Sequence, residues 1–253
     1  MSRDAQRLAA AFRGGERLSA LDVPPATVAQ AYALQDAMRE ELGLPIIGWK
    51  LAQTTAKAQA PLGLEAPTVS PLLEGMIVPA QTVFAAGHFH SPEIEAEIVL
   101  ELSSTIDRPL GKGELIDCIG HLRLGIEVAD TRYVDKAAVG VLSVIADLNS
   151  SGALVIGPRV DVSNLNDAVT GPAEARLGDG TLVTALPADM RPSPLDVLAY
   201  LAEFATARGH SIPAGAMVTT GTHTRPTRSG PGTIGALFQN VGRLTARLSE
   251  PAA

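Results

Sequence analysis

Residues 93–102 read Glu93-Ile94-Glu95-Ala96-Glu97-Ile98-Val99-Leu100-Glu101-Leu102. Ile94, Ala96, Ile98, Leu100 and Leu102 share one face of an extended chain, and Glu93, Glu95, Glu97 and Glu101 share the other. This period of two predicts a strand with one face in a core. Working outward, a second apolar strand is expected over 122–129 and a third over 153–156. A hairpin is expected over 177–186, where Gly178-Asp179-Gly180 supplies the turn, and another over 233–248, turning between Asn240 and Gly242. Helices are predicted over 3–12, stopped by Gly14-Gly15, and over 28–42, opened by a capping-box pair at Thr27 and Gln30 and stopped by Gly43. Two further helices are expected, one over 112–121 and one from Ser193-Pro194 to near Gly209. This order predicts an α+β chain: an N-terminal helical extension over 1–45, then a rolled mixed β-sheet over 46–253 forming one unit.

Composition narrows the function. The chain has 253 residues, 46% of them hydrophobic and only 4% aromatic, so its core is built mainly from aliphatic side chains. The net charge of -7 and the lack of a basic cluster argue against nucleic-acid binding, which needs a concentrated Lys/Arg surface. A single cysteine, Cys118, excludes an internal disulfide framework and suits a reducing cytoplasm. The polar start, Met1-Ser2-Arg3-Asp4, is not a secretory signal, and no apolar run reaches the roughly 20 residues of a membrane helix.

The glutamate row carries the first chemical signal. Glu95 and Glu97 lie two residues apart on one strand face, with Cα atoms about 6.5–7 Å apart, so their carboxylates can converge on one ion. A solvated strand face is the alternative. Like charges on one face repel, and no Lys or Arg interrupts the row. Glu127 sits within Leu124-Gly125-Ile126-Glu127-Val128-Ala129, an apolar setting in which a carboxylate needs a partner. That partner is either a cation shared with Glu95 and Glu97 or a structural arginine, Arg123 or Arg132. Three carboxylates form an all-oxygen site suited to Mg²⁺ or Mn²⁺ rather than Zn²⁺. His88 and His90 are weaker candidate ligands, in a loop beside Gly87. The glycine-rich stretch from Gly221 to Gly235 lacks the strand-to-helix setting of a nucleotide loop, and Cys118 has no positioned base.

Five segments together resemble the fumarylacetoacetate hydrolase superfamily, nearest its hydratase/decarboxylase branch. They are Gly48-Trp49-Lys50, Glu95-Ala96-Glu97 after Pro92, Gly125 to Arg132, Ala146-Asp147 with Ser150-Ser151-Gly152, and Gly221-Thr222-His223-Thr224-Arg225-Pro226. The resemblance implies the β-roll of that family and a metal site at Glu95, Glu97 and Glu127. It implies that Lys50 binds the substrate carboxylate or moves a proton, and that Asp147 orients water or bonds to Lys50. Ser150, Ser151, Gln53, Thr222 and His223 are the implied substrate-facing residues. The implied activity is hydration of a small unsaturated 2-oxo acid, as in aromatic meta-cleavage catabolism. The alternatives are a 4-oxalocrotonate-type decarboxylase or C–C hydrolase on the same ion, and a non-catalytic member that binds a metabolite or partner. A homo-oligomer is expected, with a complex with a related pathway enzyme as a further possibility. Four positions depart from the family's pattern: Gln53 replaces an apolar residue, Thr68 an aspartate, Glu93 an arginine, and Asn149 carries an asparagine one place late.

Overall fold

The computed structural model describes residues 2–251. Helices α1 (Arg3–Phe12) and α2 (Val28–Leu42) open the chain where the apolar spacing predicts them. Thr27 Oγ1 accepts from the Gln30 amide (3.2 Å), while Gln30 Oε1 accepts from the Ala26 amide (2.8 Å) rather than from Thr27, one residue beyond the expected cap. Thirteen strands are described: β1 (Ile46–Ala52), β2 (Thr68–Leu73), β3 (Ile77–Pro79), β4 (Val83–Phe84), β5 (Glu93–Leu102), β6 (Ile119–Ala129), β7 (Ser151–Val160), β8 (Ala173–Arg176), β9 (Leu182–Thr184), β10 (Met217–Thr222), β11 (Thr227–Arg228), β12 (Gly232–Phe238) and β13 (Gly242–Leu248). Between them run helices α3 (Ala56–Gln59), α4 (Lys112–Asp117), α5 (Lys136–Ala146), α6 (Leu165–Thr170) and α7 (Pro194–Ala207).

The main sheet follows the order β2-β1-β10-β5-β6-β7-β3, with β11 added to β5. Pairs β1–β10 and β3–β7 are parallel and the rest antiparallel, so the sheet is mixed, as expected. A second sheet, β4-β13-β12-β8-β9, packs over one face of the first. Ile94, Ile98 and Leu100 of β5 and Leu122 and Ile126 of β6 meet Ile234, Phe238 and Leu244 there, with Leu198 and Leu201 of α7 closing the end. The opposite face is covered by α1 and α2, whose Leu8, Met38 and Leu42 pack on Leu72, Val99 and Leu154. The apolar faces of α1 and α2 are therefore covered within one chain and do not call for a second copy. No helix among the described residues is long and apolar enough to cross a membrane.

Some elements differ from the expectation for physical reasons. Strands β2 and β10 are buried on both faces, so their sequences carry no alternation. The helix expected over 112–121 ends at Asp117 because Leu102 pairs with Ile119 and the Ser103 amide donates to the Cys118 carbonyl (2.8 Å), drawing the following residues into the ladder. Helix α5 was not anticipated. Its sequence, KAAVGVLSVIA, is apolar nearly throughout, and Gly140 at φ +75° kinks it, so it shows no clean helical stripe. Its last turn is held by Gln35 of α2, whose buried Nε2 donates to the carbonyls of Ile145 (2.7 Å) and Val69 (3.2 Å). Ser193 precedes α7, but its side chain makes no cap bond.

Gly48 fixes the closeness of β1 and β10. A Cβ there would lie 2.4 Å from the Met217 carbonyl oxygen, a backbone atom of the paired strand. Gly48→Ala should therefore cost about 1–3 kcal/mol, as overpacking does, and lower Tm by roughly 3–10 °C. A thermal melt checks this, and an unchanged Tm would mean that the two strands can separate freely.

Candidate active site

Because Trp49, Leu51, Ile94, Ala96, Ile126 and Val128 point into the core between the sheets, the period of two sends Lys50, Glu95, Glu97 and Glu127 to the other face. The β5–β6 register sets Glu95 directly opposite Glu127 and Glu97 opposite Gly125. Carboxylate oxygens of Glu95, Glu97 and Glu127 lie within 4.8 Å of one another. The ends of the glutamate row are neutralised from other elements. Glu93 pairs with Lys136 of α5, and Glu101 with Arg123 (2.7 Å) and Arg159 (2.6 Å). Among the described residues, Glu95 and Glu97 in the middle of the row have no ion-pair partner.

The one cation at the cluster is Lys50, which is 4% exposed, ion-paired with Glu127, and donates to the Asn149 carbonyl at 2.9 Å. Neither arginine expected beside Glu127 is there: Arg123 serves Glu101, and Arg132 serves Asp147. Burial and then the neighbouring Glu127 charge push the Glu95 carboxyl up to about 8. Burial, Glu127 and Glu95 hold Glu97 well above the usual carboxylate range. Burial pulls the Lys50 ammonium down, but Glu127, Glu95 and Glu97 outweigh it and leave Lys50 above the ordinary lysine value. Three crowded carboxyls around one ammonium keep their full charge only where a further cation offsets it, and without one the crowding pushes Glu95 and Glu97 toward their protonated forms. Glu127 Oε2 is buried with no hydrogen-bond partner among the described residues. The donor set therefore fits a hard divalent cation.

Glu95, Glu97 and Lys50 line a cavity of about 670 Å³, and Glu127 lies behind them, paired with Lys50. Val141 and Val144 of α5, Leu62, Leu186 and Met190 line it as well. Gln53 and Thr222 reach this cavity, as expected. Gln53 sits at φ +50°, and its Oε1 accepts from Thr68 Oγ1 at 2.5 Å, so two of the four departures from the resembled pattern bond to each other. Ser150 also lies on the wall, with its buried hydroxyl unpartnered among the described residues. The Gly221 amide, to which the sequence gave no role of its own, donates to Glu97 Oε2 (3.3 Å). Gly221 is required at φ +97°, where a Cβ would fall 2.4 Å from Thr54 Oγ1.

Three expected site residues lie elsewhere. Asp147 is fully buried, accepts from Thr131 Oγ1 (3.0 Å) and the Arg132 amide (2.9 Å), and pairs with the Arg132 guanidinium rather than with Lys50. It anchors the turn after α5 and does not line the cavity. Ser151 Oγ donates to the Leu148 carbonyl (2.6 Å) and shares a hydrogen bond with Ser70 Oγ (3.3 Å), so it is engaged in the core. His223 is buried beside Phe238, with ring centroids 5.5 Å apart, and does not line the cavity. Burial, and then the charge of Arg191, lower its pKa to about 4, so it is neutral at pH 7. His88 packs against Phe84 and Phe89, and the His90 backbone amide donates to Asp130, which leaves both outside the carboxylate cluster.

The sequence profile described as fumarylacetoacetate (FAA) hydrolase C-terminal matches residues 29–248. The chain is similar to a 4-oxalocrotonate decarboxylase of Pseudomonas putida, 31% identical over 238 residues, covering 89% of this chain and 87% of the relative. It is also similar to 2-keto-4-pentenoate hydratase 1 of Dechloromonas aromatica (strain RCB), 29% identical over 196 residues, covering 76% and 74%. The solved structure of the 4-oxalocrotonate decarboxylase from Pseudomonas putida G7, complexed with magnesium and adipate, superposes with a TM-score of 0.85 at 28% identity, covering 98% of this chain and 99% of that one.

The raised carboxyls set a pH dependence. A glutamate whose folded pKa is about 8, against about 4.5 unfolded, binds more protons folded than unfolded between those values. Its stabilising contribution is complete below the unfolded value and is lost as pH rises through the folded one. His223, lowered to about 4, acts in the opposite sense only below its ordinary 6.5. Metal-free protein in chelator should therefore lose stability as pH rises from 6.5 to 8, and saturating Mg²⁺ should remove that slope. Denaturant melts at several pH values check this, and a flat or rising profile without metal would contradict it.

Proposed function

The chain belongs to the fumarylacetoacetate hydrolase family, and from that premise we propose that it is a divalent-metal-dependent lyase adding water to a small unsaturated 2-oxo acid, of the 2-hydroxydienoic type met in aromatic meta-cleavage catabolism. The observation that carries this reading is the cluster of Glu95, Glu97 and Glu127, with Lys50 paired to Glu127, at a cavity of about 670 Å³ that Lys50, Glu95 and Glu97 line. When bound there, Mg²⁺ or Mn²⁺ supplies Lewis-acid polarisation of the 2-oxo group. Lys50, kept charged by the glutamates and oriented by the Asn149 carbonyl, is the general acid–base and carboxylate partner. The Ser150 hydroxyl donates to the substrate, and Gln53 and Thr222 border it. Val141, Val144 and Leu186 suit its hydrocarbon end. Protonation at the far end of the dienoate gives a conjugated 2-oxo-enoate, and water then adds at the conjugated carbon to give a 4-hydroxy-2-oxo acid.

A second reading is decarboxylation of a 2-oxo diacid, in which electrons leaving the C–C bond flow toward the same polarised oxo group. The likeness to decarboxylases, 31% in sequence and a TM-score of 0.85 in structure, favours this reading. The intact triad speaks against a non-catalytic member. The single cysteine supports a reducing cytoplasm. Assembly as a homo-oligomer, alone or with a related pathway enzyme, is proposed from the resemblance.

The test is to incubate Mg²⁺-loaded protein with 2-hydroxypenta-2,4-dienoate and, separately, with 2-oxohex-3-enedioate, following ultraviolet absorbance and CO₂. Hydration predicts loss of dienoate absorbance without CO₂, and the second reading predicts CO₂ from the diacid. Lys50→Met should lower kcat by about 10²–10⁴-fold, the range of a lost acid–base group, while Mg²⁺ binds at least as tightly because a competing cation is gone. No turnover of either compound would contradict both readings.

A further inference from the structure

The turn that delivers Ser150 to the cavity is unusual. Leu148, Asn149 and Ser150 take φ values of +49°, +50° and +56° in succession, and none is glycine. Left-handed backbone at such residues carries a cost, and runs of it persist only where the surroundings impose it. Here the surroundings are the Asp147–Arg132 ion pair on one side and the Ser151–Leu148 hydrogen bond on the other. The turn brings the Asn149 carbonyl to Lys50. Asn149 lines the cavity in a residue only 6% exposed, and its Nδ2 is buried behind that lining without a hydrogen-bond partner among the described residues. The adjacent Ser150 Oγ is in the same condition.

A buried unpaired donor costs about 1–3 kcal/mol. Two in a row beside an ammonium, in residues that line a cavity, are donors awaiting an acceptor. A cation does not serve, because an amide N–H and the neighbouring Lys50 both repel it. An anionic oxygen does. The sequence pattern assigned this pair of donors to Ser150 and Ser151, but Ser151 Oγ is already engaged with Leu148 and Ser70. The vacated role falls to Asn149, the residue displaced by one place from the resembled pattern.

We propose that Asn149 is a substrate-binding residue whose amide, together with the Ser150 hydroxyl, donates hydrogen bonds to the carboxylate of the 2-oxo acid. This rests on the lyase reading above and adds a residue to it. A bland alternative exists: asparagine tolerates left-handed backbone better than most residues, so Asn149 serves only the turn. Glycine separates the two, since it takes φ +50° freely and removes the amide.

The probe is oxalate, a stable planar analogue of an enolised 2-oxo acid, titrated calorimetrically into Mg²⁺-loaded protein. Asn149→Gly should keep Tm and Mg²⁺ affinity but weaken oxalate by about 10- to 100-fold, the worth of a hydrogen bond to a charged group. Asn149→Asp should weaken it further by repulsion. KM for any confirmed substrate should rise in step. If Asn149→Gly binds oxalate like the wild type, Asn149 is structural and the proposal falls while the lyase reading stands. If Mg²⁺-loaded wild type turns over neither acid and does not bind oxalate, the lyase reading falls and takes this one with it.

Discussion

Three carboxyl groups crowded around a single ammonium behind the main sheet govern the rest of the molecule. Glu97, Glu127 and Lys50 are buried and Glu95 is half-buried, and Lys50 pairs with Glu127 while Glu95 and Glu97 are pushed toward their protonated forms. In a monomeric apo chain this arrangement is a liability, since each buried ion costs several kcal/mol in effective desolvation. The fold nevertheless commits to it through features that cannot slip independently. Moving β6 by one residue against β5 would turn Glu127 into the core and break its pairing with Glu95. The same parity puts Lys50 of β1 on the glutamates' face, and the close β1–β10 and β10–β5 pairings carry it toward them.

Around this centre, other charges are neutralised with care. Glu93 has Lys136, Glu101 has two arginines, and Asp147 is surrounded by Arg132 and Thr131. The contrast is informative. Where a charge is structural, this chain supplies a counter-charge, and where none is supplied the site faces a cavity. The Asp147–Arg132 pair also flanks the left-handed turn that carries Asn149 and Ser150.

Much of this was legible in the sequence because it follows from periodicity. The alternation of 93–102 places Glu95 and Glu97 together without any knowledge of the fold, and the apolar setting of Glu127 marks it as needing a partner. What was not legible depended on contacts across the chain. Strands β2 and β10, buried on both faces, have no polar alternation to read, and the near-continuous apolarity of α5 concealed an element that lines the cavity. Asp147, Ser151 and His223 lie in or beside segments that resemble the family's, but a one-residue difference in orientation separates a cavity wall from a core. Only the structure shows that Asp147 faces Arg132, that Ser151 faces Ser70 and that His223 faces Phe238. The pairing of Gln53 with Thr68 was equally hidden, because fifteen residues of sequence separate them.

The most direct test of the central claim, that the triad is built for a divalent cation, is the melting temperature of wild type and Glu95→Gln as Mg²⁺ is titrated. Glu95 is the better choice for substitution, because Glu127 also neutralises Lys50 and its loss would strand that ammonium. The account predicts that wild type starts low and gains stability with occupancy, by about 2.7 kcal/mol at a hundredfold excess over Kd. Above pH 8, where Glu95 is ionised, Glu95→Gln should start higher, relieved of a repelling charge, and respond weakly. A wild-type Tm indifferent to both Mg²⁺ and Mn²⁺, with Glu95→Gln no more stable than wild type, would contradict it.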